Sequence, residues 1–202
     1  FKTDEFPKKD IATIMGIEQY CLFRIGDAGF PLQQLQFSSP GENKFPNADT
    51  GKLLQPSEWY HVAVVYDTEK KTAVIYVDGR EQSRIEDYGN GEPVNLGKQT
   101  RGKDFMFKIG HSYGEPDYME RQLDGEICEV RVWNVARSQQ EIFDNMYNIE
   151  DPANTPGLQA YWKFNEGEGD IAKDYTGHGN DAKAYAKATW PAGIEVTQKN
   201  KE

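Results

Sequence analysis

Between Trp59 and Gly79 the chain runs Trp-Tyr-His-Val-Ala-Val-Val-Tyr-Asp, then Thr-Glu-Lys-Lys, then Thr-Ala-Val-Ile-Tyr-Val-Asp-Gly. Two runs rich in β-branched and aromatic residues, separated by four polar ones, predict a β-hairpin with a solvated loop. In the second run Ala73, Ile75 and Val77 share one parity and Val74 and Tyr76 the other. Both faces are therefore largely apolar, the pattern of a strand covered on both sides. Asp78-Gly79 predicts a second turn, because glycine tolerates positive φ and aspartate can bond its own backbone. Such a hairpin belongs at the centre of a sandwich.

The rest of the chain is read around it. Strands are expected at Ala12–Met15 and Tyr20–Ile25, with Gly16-Ile17-Glu18 as the turn between them, and then at Leu32–Phe37. In the second of these Cys21, Phe23 and Ile25 face one way, and Tyr20, Leu22 and Arg24 the other. Ser38 to Lys52, rich in Ser, Pro, Gly and Asn, is expected to be a loop. Glu86 to Lys103 is a long polar stretch and Ser112 to Gln122 is loop-like, while Phe105–Gly110 between them is a strand. Glu126–Trp133 alternates as one strand. Ser138-Gln139-Gln140-Glu141 matches a capping box, and the i,i+4 pairs Ile142/Met146 and Phe143/Tyr147 predict one short helix of about two turns. Asp151–Gly157 ends it, Leu158–Phe164 is another strand, and Asn165–Asp181 is a Gly- and Asp-rich loop. Many short strands and one short helix argue for an all-β sandwich or jelly roll in a single domain.

Composition narrows the function. With 33 acidic and 23 basic residues the net charge is −10. Lys and Arg nowhere cluster as a phosphate backbone or an anionic bilayer would require, so nucleic acid and membrane surfaces are poor partners. No window approaches the roughly 18 consecutive apolar residues of a membrane span. The chain opens at Phe1 with neither an initiator Met nor a leader, which is expected of a processed or shortened chain. Cys21 and Cys128 lie in strand-like runs; a bridge is conceivable if those strands face each other, and two buried thiols are the simpler expectation. No Cys/His spacing suggests zinc.

Trp59-x-His61-Val62-Ala63-x-x-Tyr66-Asp67, Tyr76-Val77-Asp78-Gly79 and Asp124-Gly125-Glu126-Ile127-x-Glu129-Val130-Arg131-Val132-Trp133-Asn134-x-Ala136-Arg137 occur in that order. They are followed by Leu158-x-Ala160-Tyr161-Trp162-x-Phe164-Asn165-Glu166-Gly167-x-Gly169 and Asp174-x-x-Gly177-x-Gly179-Asn180. The series resembles the laminin-G-like jelly rolls of the concanavalin A-like lectin/glucanase superfamily. That resemblance implies a two-sheet antiparallel sandwich whose concave face and rim loops often bind glycans. It also implies an extracellular or cell-surface module, frequently bacterial and joined to other domains. Family members usually carry a further strand or two before the equivalent of Phe1, so edge strands are expected to be missing here or supplied by the closing segment.

Laminarinase-type relatives place Glu, Asp and Glu at alternating positions of one strand. In Glu126-Ile127-Cys128-Glu129 the two glutamates have opposite parity, and glycoside cleavage needs both carboxyls in one cleft. Asp124 and Glu126 share a parity and carry the residual hydrolase reading. Gly110-His111-Ser112-Tyr113-Gly114 fits a nucleophile-elbow pattern, yet a loop with Pro116 follows where a helix is required. Glu129 and Arg131 are instead expected to pair on an exposed face. For metals, Asn165, Glu166, Glu168, Asp170, Asp174, Asn180 and Asp181 supply hard oxygens suited to Ca²⁺. Jelly-roll relatives often hold a structural Ca²⁺, and Asp174, with Asn180 and Glu166, is the ligand set the resembling motif suggests; the same side chains could equally cap turns. Trp59, Trp133 and Trp162 are read as core. Exposed platforms for sugar are sought in the rim loops: Tyr88 with Asn90, Tyr113 with Asp117, and Tyr118 with Arg121. The expected function is a non-catalytic carbohydrate-binding or adhesive module of an extracytoplasmic protein, with a protein–protein scaffold as the alternative.

Overall fold

In a computed structural model the chain is described over residues 1–7, 11–27, 29–39, 47–98, 105–115, 118–184 and 188–190. It divides into two compact units, Phe1–Glu126 and Ile127–Glu202. All strand pairings described are antiparallel, and a single short α-helix is present among the described residues. No described helix is long and apolar enough to cross a membrane.

In chain order the first unit holds β1 (Lys2–Thr3), β2 (Ala12–Ile17), β3 (Cys21–Ile25), β4 (Gln34–Ser38), β5 (Asn47–Leu53) and β6 (Val62–Asp67). It continues with β7 (Thr72–Val77), β8 (Arg80–Ile85), β9 (Lys108–Ile109), β10 (Tyr113–Glu115), β11 (Tyr118–Glu120) and β12 (Gly125–Glu126). One sheet has the order β5-β4-β3-β2-β9 and another the order β6-β7-β8. The expected hairpin is β6–β7, paired from Val62↔Val77 to Asp67↔Thr72, and every residue of β7 is buried. Asp67 Oδ1 accepts the amides of Glu69 and Lys70 in the connecting loop. Asp78 and Gly79 both take positive φ (50° and 69°), the geometry of a tight hairpin turn.

The strand after that turn, β8, has no apolar alternation in Arg-Glu-Gln-Ser-Arg-Ile. It is held by main-chain pairing with β7, and main-chain pairing is open to polar residues where a neighbouring strand offers its edge. The same reason converts part of the expected loop Ser38–Lys52 into β5, paired along β4. The two larger sheets of this unit meet through aromatic rings. Phe37 of β4 lies 6.2 Å from Tyr66 of β6 and 6.0 Å from Tyr88, with Tyr66 and Tyr88 edge to face at 5.8 Å. Such tilted pairs add to the area they bury.

The first strand pair differs from expectation by its turn. β2 runs through Gly16 and Ile17, and the reversal falls at residues 18–20. Gly16 belongs inside the strand because a Cβ there would stand 2.2 Å from the Cys21 carbonyl oxygen. Its φ of 142° also suits glycine. At the N-terminus β1 pairs with β12, so Thr3 is buried and its hydroxyl donates to the carbonyls of Glu5 and Asp124.

The second unit holds β13 (Val130–Trp133), helix α1 (Gln139–Asp144), a 3-10 turn at Pro152–Asn154, β14 (Leu158–Trp162), β15 (Ile171–Ala172) and β16 (Ala182–Lys183). The expected strand Glu126–Trp133 is broken: Glu126 ends β12, Glu129 takes φ 57°, and pairing with β14 resumes at Val130. The helix begins as predicted. Ser138 accepts the Glu141 amide, and Glu141 reaches back to the Ser138 amide. Ile149, Leu158 and Tyr161 form its core, with Trp133 packed against them.

Candidate functional site

Strand alternation divides the five-stranded sheet into two unlike faces. Cys21, Phe23 and Ile25 of β3 share one face with Leu35 and Phe37 of β4, all buried. The other face carries Thr13 opposite Arg24, Arg24 opposite Gln36, and Ser38 opposite the apolar Leu22, in register. These polar residues are buried as well. Burying polar groups is costly unless each is hydrogen-bonded, so the partners matter.

Two linked clusters result. Arg24 donates from Nη1 to Ser38 Oγ at 2.8 Å and from Nη2 to Asp27 Oδ2 at 2.5 Å. Burial pulls its guanidinium below the ordinary range, with Asp27 opposing the change. In the second cluster Thr13 Oγ1 donates to Ser112 Oγ at 2.9 Å, Ser112 Oγ donates to Glu18 Oε2 at 2.7 Å, and Arg121 Nη1 holds Glu18 Oε1 at 2.5 Å. Backbone bonds fix these residues: the Thr13 amide donates to the Arg121 carbonyl and the Leu123 amide to that of Gly110. Gln36 stands apart. Its side chain is 0% exposed, and neither Oε1 nor Nε2 has a protein partner. An amide offers one acceptor beside two donors, and carboxylate and guanidinium groups likewise present two atoms in a plane.

The expected platforms fare differently. Tyr88 is no platform: it is 1% exposed, and its hydroxyl donates to the Phe37 carbonyl at 3.0 Å. Its loop folds the ring inward because the two sheets need an aromatic between them. Asn90 is exposed and closes a turn, its Oδ1 accepting the Glu92 amide. Tyr113 and Tyr118 fall on β10 and β11, where the expected loop is a hairpin, in register with Glu120 and Glu115. Asp117 lies outside the described residues. Arg121 belongs to the polar face through Glu18. Alternation in Gln34-Leu35-Gln36-Phe37-Ser38 was the available signal for this face, but it marks a strand equally well when the polar side meets water.

Ser112 and Glu126, singled out by the catalytic patterns, both have protein partners. Ser112 is buried between Thr13 and Glu18, and a strand follows it, so no elbow forms. Glu126 is paired with Lys2. Glu129 does pair with Arg131, as expected, but both side chains are largely buried and Tyr161 joins them.

Within the Ca²⁺ set, Asp174 is engaged by the chain's own donors. Asp174 Oδ1 accepts from the Tyr161 amide (3.2 Å), the Thr176 amide (3.0 Å) and the Thr176 hydroxyl (2.7 Å), and Oδ2 accepts the Asn180 amide (3.1 Å). Burial pushes this carboxyl up, yet the Thr176, Asn180 and Tyr161 donors together leave it below the usual carboxylate range. Asn180 Nδ2 donates to the Gln159 carbonyl, and its own carbonyl accepts Trp162 Nε1. Glu166 Oε1 accepts the Lys173 amide. Among the described residues no three His, Cys, Asp or Glu side chains converge as a metal site. The Asp174 oxygens already face N–H and O–H donors, whose hydrogens would point at a cation, whereas Glu166 Oε2 is buried without a hydrogen-bond partner. We expect EDTA or added Ca²⁺ to move the melting temperature by less than about 2 °C; a larger rise with Ca²⁺ would show a bound ion.

Both cysteines are thiols, with neither in a disulfide, and burial pushes the Cys21 thiol up to about 12.

Antiparallel sheets packed face to face define the class of β-sandwich proteins. A family model for the laminin-G-type group of the concanavalin A-like lectin/glucanases superfamily matches residues 1–143, and the chain belongs to this family. It adopts the concanavalin A-like jelly-roll fold. A search of curated proteins gave no match. Among solved structures the chain is similar to a Bacteroides ovatus ATCC 8483 protein provisionally described as carbohydrate binding, at 31% identity and a TM-score of 0.73. The match covers 95% of this chain and 53% of that one, so this chain spans about half the length of its relative.

Proposed function

We propose that this chain is a non-catalytic carbohydrate-binding module of an extracytoplasmic bacterial protein, and that the polar face of the five-stranded sheet reads glycan hydroxyls. The observation that carries the reading is the match over 95% of this chain to the Bacteroides ovatus protein provisionally described as carbohydrate binding, and family membership supports it. On the polar face Gln36 is a buried amide with both ends unmatched by protein, opposite Arg24. A fold by itself licenses only analogy. The non-catalytic part rests on the pairing of Glu126 with Lys2, of Glu129 with Arg131, and of Ser112 with Glu18.

Gln36→Leu separates a binding amide from a merely buried one. Removing an unsatisfied buried amide relieves about 1–3 kcal/mol of desolvation, so the variant should melt at the same temperature or a few degrees higher. Glycan affinity measured by calorimetry should fall at least about tenfold, or 1.4 kcal/mol. Full affinity in a folded Gln36→Leu protein would place the site elsewhere. A wild-type protein that ignores every glycan would favour a scaffold, and release of reducing sugar would show a hydrolase.

A further inference from the structure

We propose that Asn90-Gly91 is a site of spontaneous deamidation, and that its isoaspartyl product loosens Tyr88 from the seam between the two larger sheets. Asn-Gly occurs once in the sequence. Asn90 is exposed, and its Oδ1 accepts the Glu92 amide at 3.0 Å. A bond to the amide two residues on folds the carboxamide back over the intervening peptide, towards the Gly91 nitrogen. Holding the two groups together lowers the entropic barrier to ring closure, and glycine has no side chain to obstruct it. Asn95 supplies the contrast within the same loop. It too is exposed, and its Oδ1 accepts the Gly97 amide at 3.0 Å, but Leu96 follows it and its branched side chain crowds the attacking nitrogen.

In the reaction the Gly91 nitrogen gives its proton to hydroxide and bonds to Asn90 Cγ. The Cγ–Nδ2 bond breaks, and the nitrogen leaves as ammonia with a proton from water. Water then opens the succinimide. Cleavage at Cγ leaves aspartate, and cleavage at the main-chain carbonyl leaves isoaspartate, whose main chain is one carbon longer. The fold makes that extra carbon matter. Before Asn90, the Tyr88 amide donates to the Lys71 carbonyl at 2.7 Å and the Tyr88 hydroxyl to the Phe37 carbonyl at 3.0 Å. Gly89 lies so close to Tyr66 that a Cβ would stand 2.4 Å from the Tyr66 hydroxyl oxygen. After Asn90, a Cβ on Gly91 would stand 3.2 Å from Lys71 Cε. Both sides of Asn90 are thus pressed against close neighbours, and a lengthened main chain does not keep both seated. Either product also adds a carboxylate in a loop that already carries Glu92.

The test incubates folded wild type at mildly alkaline pH and follows tryptic peptide 85–98, which holds both asparagines, by mass spectrometry. A sample digested at time zero corrects for conversion during digestion. Asn90 should gain about 1 Da, at a rate at least about tenfold that of Asn95, and an isoaspartyl-specific methyltransferase should label the product. Asn90→Gln should hold the peptide's mass, because the longer side chain has to close a larger ring. Protein enriched in isoaspartate should melt a few degrees below wild type. Asn90→Asp carries the same added charge on an unlengthened main chain, still accepts the Glu92 amide, and should melt with wild type. An Asn90 that converts no faster than Asn95, or only after unfolding in urea, overturns the site. Isoaspartyl protein that melts with wild type, or Asn90→Asp that melts as low as the isoaspartyl form, overturns the effect on Tyr88.

Discussion

Asp174→Ala is expected to lower the melting temperature on the order of 10 °C, by about 3–5 kcal/mol at 2–4 °C for each. The carboxylate accepts four hydrogen bonds that tie β14 at Tyr161 to the turn through Thr176 and Asn180. Truncation strands the amides of Tyr161, Thr176 and Asn180, and a buried donor without a partner costs about 1–3 kcal/mol. Asp174→Asn should fall between, since its carbonyl oxygen can still accept on one side while its NH₂ meets the Asn180 amide donor to donor. Acid should mimic the loss. The folded carboxyl titrates below its ordinary value, so its contribution is complete above the unfolded carboxylate pKa of about 3.9 and disappears as pH falls through the lowered folded value. A melting series from pH 6 downwards should therefore drop more steeply for wild type than for Asp174→Ala. Equal slopes would show that Asp174 is not the titrating group.

Arg131→Met should cost a similar amount, about 3–5 kcal/mol, because it leaves a mostly buried carboxylate without its cation. Nη1 of Arg131 donates to the carbonyls of Asn145 (2.8 Å) and Met146 (3.1 Å), where α1 ends with no basic residue in its last turn. Nη2 donates to Glu129 at 2.5 Å and to the Tyr161 hydroxyl at 3.3 Å, and the guanidinium lies 4.8 Å from the Tyr161 ring centre. The Tyr161 hydroxyl also donates to Glu129; burial first, then Glu129, pushes the phenol up to about 12 against the opposing pull of Arg131. One side chain thus joins the helix end, the irregular residue before β13 and the middle of β14. A double-mutant cycle with Glu129→Gln reads the coupling directly. The double variant should recover part of the loss, and strict additivity would show that the pair is not coupled.

Several elements were legible because a local rule was sufficient. The β6–β7 hairpin follows from period-two alternation around a polar loop, and its next turn from Asp78-Gly79 at positive φ. The start of α1 follows from Ser138 and Glu141 bonding each other's ends. β5, β8 and the β10–β11 hairpin were not legible, because their residues qualify as strand only when a neighbour presents free amides and carbonyls. Gly16 resembled a turn residue, and only the approach of the Cys21 carbonyl explains why it sits within a strand.

The candidate site divides the same way. Arg121 was singled out by composition of its loop, but its partner Glu18 is 103 residues away and unmarked by any motif. Tyr88 and Asp174 carried the right chemistry for a platform and a ligand, and long-range packing turned one inward and surrounded the other with donors. By itself the amino-acid order determined an acidic, strand-dominated chain, since hydrophobic period and turn chemistry are local, and its motif series carried the resemblance to the laminin-G-like family. Which polar residues gather on one sheet face, and whether an oxygen there meets a donor or nothing, was decided by tertiary structure alone. Thr13, Arg24 and Gln36 align across three successive strands, but Ser112 and Arg121 reach Thr13 and Glu18 from 99 and 103 residues away, which no local pattern encodes.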